Sequence, residues 1–134
     1  KRPDLKYVAV LGDEAPVEWR GQLDQTHFKG RPYENEVVFF HRASRTLVMC
    51  DLAFNFGPNA APFTRLWMKV IRSYGRFGPS KLDPLLIRDR VAARESLQRI
   101  LAWDFDRVVV AHGDVLESGG HELLRQGYAW LLAK

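Results

Sequence analysis

Apolar residues recur along this chain with two different periods, and each change of period marks a change of element. The run Tyr7-Val8-Ala9-Val10-Leu11, stopped by Gly12-Asp13, predicts a short strand. Residues 14–22 carry Pro16, Trp19 and Gly21 and predict a loop or a single helical turn. Residues 23–29 alternate loosely and predict a strand that Gly30-Arg31-Pro32 ends. Residues 36–41 and 46–51 are rich in Val, Phe, Leu and Thr around the polar turn Arg42-Ala43-Ser44-Arg45, the strongest hairpin signal in the chain. Phe63, Leu66, Trp67, Val70 and Ile71 then fall at helical spacing. They predict a helix over 63–74, with Pro62 suited to its first position and Gly75 to its end, and the aromatics of 54–67 placed in the core.

Asp83-Pro84 predicts a capped helix start, and the helix is expected to run to about Trp103. Leu86, Ala93, Leu97 and Ile100 make its buried stripe, joined by Ile87, Val91 and Leu101. Residues 107–111 form a short continuous apolar run, as a buried strand requires. After Gly119-Gly120 a last helix over 121–133 is expected to bury Leu124, Tyr128 and Leu131. The predicted class is α/β of the α+β kind: one mixed sheet with a central hairpin, flanked by helices, in a single domain over 1–134.

Composition narrows the function classes. A chain of 134 residues with 46% apolar and 27% charged residues is ordinary for one globular domain. No apolar run approaches the ~18 residues of a membrane span, and no export signal is visible, so a cytoplasmic protein with no membrane partner is expected. The first residues, Lys1-Arg2-Pro3-Asp4, lack an initiating Met, as in a processed or truncated product. The formal charge of +4 raises nucleic-acid binding. Against it, Arg88, Asp89, Arg90, Arg94, Glu95 and Arg99 alternate in sign as on a solvated helix face. The lone cysteine, Cys50, excludes an internal disulfide and reads as a buried, inert thiol in an apolar strand; a Cys50–His112 nucleophile pair is the sharper alternative. The sequence has no Gly-rich phosphate loop, no Ser in a nucleophile elbow, and no His-x-His pair.

Two residues carry the candidate chemistry. Asp51 ends one strand of the hairpin, and His112 ends the later strand, where Gly113 permits a tight turn and Asp114 follows. A carboxylate and an imidazole at the C-terminal ends of strands can meet on one rim of a sheet, as metal ligands do. As ordinary structural residues, Asp51 would cap a turn and His112 would be a hydrogen-bonded strand end. Asp114 would either orient His112 or be solvated. His27, His41 and His121 stand alone and receive no role.

The stretch from Glu36 to Leu52, with Asp51 near its end, resembles the strand pair leading to the metal-bridging Asp of the metallo-β-lactamase fold. Val109-Val110-Ala111-His112-Gly113-Asp114 resembles that fold's last strand and terminal metal His. More narrowly, the chain is similar over nearly its whole length to the C-terminal half of an uncharacterised bacterial family related to metallo-β-lactamases. The resemblance implies a partial αββα sandwich, with Asp51 as a bridging ligand and His112 as a terminal ligand. The metal would be zinc, iron or manganese, and the full form would hydrolyse esters, lactams, thioesters or phosphodiesters. Two features depart from that family. Its His-x-His-x-Asp-His cluster has no counterpart here, and Gly30-Arg31-Pro32 stands where a further His is expected. A hydrolytic zinc site needs three protein ligands and an open position. The expectation is therefore a non-catalytic half-domain that forms a homodimer or joins a missing N-terminal half. The alternative is a metal-dependent hydrolase whose other ligands come from elsewhere.

Overall fold

Four strands form one mixed sheet: β1 (Leu23–Phe28), β2 (Glu36–His41), β3 (Thr46–Met49) and β4 (Arg107–Val110), in the spatial order β1-β2-β3-β4. The computed structural model describes residues 4–7, 9–70 and 73–133. β2 and β3 make the expected hairpin, with Phe40 opposite Leu47, and β1 pairs antiparallel on its outer side. β4 runs parallel to β3, with Met49 opposite Val110. A parallel pair needs a long crossover. Here α1 (Pro62–Val70), α2 (Asp83–Leu86) and α3 (Arg90–Leu101) supply it; α4 (Gly120–Gly127) and α5 (Ala129–Leu132) follow β4.

The core sits on one face of the sheet. Val38, Phe40, Leu47, Met49, Val108 and Val110 point to that face. They are buried together with Ala93, Leu97 and Ile100 of α3, and with Leu124, Tyr128 and Leu131 from the last helical segment. The α3 helix lies against β1 and α5, and α4 lies against β4. Gly120 allows that second approach, since a side chain there would run into Val108 and the carbonyl of Asp106. On the opposite face Val37, Phe39, Val48 and Val109 form a row that is only partly covered.

Several sequence expectations change. Residues 7 and 9–11 do not form a strand: no strand pairs with them among the described residues, and Tyr7 and Val10 are 75% and 96% exposed. Position 8 of that run lies outside the described residues. The helix expected over 83–103 is two helices broken at Ile87, whose backbone is extended. The cap is Asp89, which accepts from the backbone N–H groups of Val91 and Ala92. Asp83 caps nothing with its side chain. Leu86 and Val91 are exposed, not part of the buried stripe. The apolar stripe of α1 is likewise exposed: Phe63, Leu66, Trp67 and Val70 are 80%, 62%, 55% and 66% accessible, although the aromatics Phe63 and Trp67 are expected in the core. Ile71, the fifth member of that stripe, lies outside the described residues.

Candidate functional site

The parallel pairing of β3 and β4 decides the site. With Met49 opposite Val110, the two strands end level, and the residues after them reach the same rim. There His112 Nε2 lies 3.1 Å from Asp51 Oδ1, and the two side chains are 51% and 46% exposed. The two residues singled out by sequence therefore meet.

Each partner is held from behind. Glu36, at the start of β2, accepts the backbone N–H of Cys50 through Oε1 at 2.6 Å and that of Asp51 through Oε2 at 2.8 Å. Burial pushes the Glu36 carboxyl up, although these two bonds pull the other way. The carbonyl of Asp51 accepts from Arg31 Nη1 at 3.3 Å. Arg31 is itself buried, ion-paired with Asp83 and Glu34 and hydrogen-bonded to Tyr128 Oη at 3.2 Å. The Tyr128 hydroxyl in turn donates toward the Leu52 carbonyl at 3.0 Å and lies 2.8 Å from Asp83. The backbone of residues 50–52 is thus gripped on both sides by buried polar groups, which leaves the half-exposed Asp51 carboxylate to face His112.

The His112 side is set by a strand-like crossing after Asp51. Asn55 N–H donates to the His112 carbonyl at 3.1 Å, and Asp114 N–H donates to the Asn55 carbonyl at 2.8 Å. Gly113 has φ +122°, and a side chain on it would overlap the Asn55 backbone, so only glycine fits this turn. The His112 ring stacks on Phe54 with centroids 5.8 Å apart. Asp114 does not serve His112; its exposed carboxylate lies against Gly57, and the carboxylate on the imidazole is Asp51.

The remaining candidates separate from the rim pair. Cys50 is exposed, not buried, because the residue after β3 turns outward. Partial burial and the Glu36 and Asp51 carboxylates push its thiol up, which disfavours the thiolate that a nucleophile needs. His41 Nδ1 sits 2.7 Å from Ser44 Oγ in the hairpin turn, and His121 Nε2 sits 2.8 Å from the Leu101 carbonyl. No metal-binding group of three or more His, Cys, Asp or Glu occurs among the described residues.

Sequence reasoning missed the groups behind the rim. Glu36 carried a signal: it shares the inward phase of Val38 and Phe40, so a buried carboxylate with partners was legible. Tyr128 carried another, since a buried hydroxyl needs a partner. Arg31 and Asp83 gave none, because they meet only across 52 residues of chain.

Two ligands of a tetrahedral ion bound at about 2.0–2.1 Å stand roughly 3.3 Å apart. The Asp51–His112 separation is close to that, so an ion can replace the shared hydrogen bond with little movement. The same separation is that of a direct imidazole–carboxylate hydrogen bond, and no third donor is grouped with the pair among the described residues. No protein-family model matches the chain, and no curated protein matches it.

Proposed function

We propose that this chain is a metallo-β-lactamase-like half-domain that carries two ligands of a metal centre, Asp51 and His112, and is non-catalytic by itself. The observation behind this reading is the 3.1 Å approach of Asp51 and His112 on one rim, with no third donor grouped with them among the described residues. Two ligands hold zinc, iron or manganese weakly, and a water-activating site needs three. The partly covered row Val37, Phe39, Val48 and Val109 supports the other half of the proposal. An apolar sheet face of this kind is where a second sheet packs in a two-sheet core. That sheet would come from another polypeptide segment or from a second copy of this chain.

Metal analysis of the purified chain tests the first part. The expected result is no stoichiometric metal, and weak zinc uptake on titration that Asp51→Ala and His112→Ala each abolish while the fold is kept. Full metal content in both variants would remove these residues from the centre. Light scattering after size exclusion tests the second part: a stable monomer would count against a face that requires a partner.

The second reading, a metal-dependent hydrolase completed by another segment or chain, rests on the same near-tetrahedral spacing. In that case a bound metal would activate water at neutral pH, while Glu36 and Arg31 would hold the Asp51 backbone and Phe54 the imidazole plane. Near-stoichiometric metal in the intact protein, lost in both alanine variants, would favour it.

A further inference from the structure

The helix α1 is mounted with its apolar side outward. Phe63, Leu66, Trp67 and Val70 stand at i, i+3, i+4 and i+7 and therefore share one face, and all four are more than half exposed. The opposite side, with Thr64, Arg65 and Met68, is the partly buried one. A surface helix ordinarily does the reverse.

Charge is distributed to match. Between Asp51 and Asp83 the sequence has Arg65, Lys69, Arg72, Arg76 and Lys81 and no acidic residue. The whole chain has 20 Lys and Arg against 16 Asp and Glu, so the rest of it carries 15 against 16. The entire positive excess therefore lies in the segment that contains α1. Lys69, at one flank of the apolar face, is packed over the Tyr74 ring. An aromatic and aliphatic face with a Lys at its flank, in a segment whose charges are all positive, has the composition of helices that lie in the interface of an anionic bilayer.

We propose that α1 is a docking surface for an anionic lipid membrane, on which it lies parallel to the surface. At nine residues it is roughly 13 Å long, and no helix among the described residues is long and apolar enough to cross a membrane. Insertion of Phe63, Leu66, Trp67 and Val70 between the headgroups supplies the apolar contact, and the cationic segment supplies attraction to anionic lipid. A second copy fits the face less well. A symmetric contact between two α1 helices uses the same patch on both, which would set the cationic segment of one copy, with Lys69 at the flank of the face, against that of the other with no acidic residue in either segment.

The test is flotation of the 134-residue protein with phosphatidylcholine vesicles, with and without phosphatidylglycerol, at low and high salt. Binding is expected only to the anionic vesicles, and it should weaken as salt screens the attraction. Leu66→Asp and Trp67→Asp should each reduce binding about tenfold or more, because each removes a buried apolar side chain from the interface. Both positions are exposed, so circular dichroism should be unchanged. Loss of the blue shift in tryptophan emission on going to Trp67→Phe would place that ring in the lipid. Failure to float with anionic vesicles at low salt, or undiminished flotation of Leu66→Asp, would overturn the proposal. A dimer dissolved by Leu66→Asp, with no vesicle binding, would assign the face to a second copy. None of these outcomes depends on the metal reading.

Discussion

Replacing Asp83 by Asn tests whether a buried ion pair holds the rim. Arg31 and Asp83 are 3% and 2% exposed at their side chains, and with Tyr128 they link the segment before β2, the start of α2 and the junction of α4 and α5. Asp83 carries opposing influences: burial pushes its carboxyl up, while Arg31 and the Tyr128 hydroxyl pull it down. We hold that it is ionised in the folded protein, because the guanidinium and the phenol both meet the same carboxylate oxygen. Asn keeps the shape and removes the charge, leaving Arg31 buried with only the partly exposed Glu34 carboxylate as an ionic partner. Breaking a buried pair in this way costs about 3–5 kcal/mol. A domain of this size has roughly 5–15 kcal/mol in all, so the loss is a large fraction. At roughly 3–5 °C per kcal/mol, the melting temperature should fall by about 10–20 °C. Urea unfolding followed by circular dichroism measures the loss directly. The double variant Arg31→Met/Asp83→Asn removes the cation that has lost its buried partner and should recover part of it, giving a favourable coupling of about 1–3 kcal/mol. A loss under about 1 kcal/mol for Asp83→Asn, with no coupling to Arg31, would show that the carboxyl is already neutral and that the pair does not hold residues 50–52.

Three further outcomes follow from the same geometry. Gly113→Ala should lose about 2–5 kcal/mol in thermal or urea unfolding, since its φ of +122° and the Asn55 backbone both exclude a side chain; a loss below 1 kcal/mol would mean the turn relaxes freely. Leu47→Ala, at a fully buried position, should lose about 2–5 kcal/mol, whereas Leu66→Ala on the exposed face of α1 should stay within about 0.5 kcal/mol in the same assay. The hydrogen bond from Lys29 holds the Asp13 carboxyl below its ordinary range, helped by the backbone N–H of His27. A lowered folded value means that this contribution is present above the unfolded value and is lost as pH falls through the folded one. The deficit of Asp13→Asn, under about 1 kcal/mol for a pair this exposed, should therefore be visible at neutral pH and vanish in acid; a deficit that grows in acid would contradict the assignment.

The local pattern determined most of the elements. The Val, Phe, Leu and Thr of residues 36–41 and 46–51, with a short polar turn between them, predict a hairpin, and β2 and β3 pair as one. The spacing of Ala93, Leu97 and Ile100, and of Leu124, Tyr128 and Leu131, identified helix faces that are buried. Asp51 and His112 were legible as a pair because strand ends on one sheet can share a rim, and the parallel register of β3 and β4 brings them together.

What the pattern left open depended on partners distant in sequence. Periodicity says that α1 has an apolar face but not which way that face points, and the tertiary structure turns it outward. Residues 7–11 have the composition of a strand, yet a strand forms only where a neighbour supplies hydrogen bonds, and residues 7 and 9–11 belong to no strand among the described residues. Asp83 before Pro84 has the local signature of a cap, but Arg31 and Tyr128, 52 and 45 residues away in sequence, draw its carboxylate into the interior. Propensity and capping are local energies of about 1 kcal/mol. Burial and ion pairing between distant segments are larger, and they are settled only when the whole chain is packed.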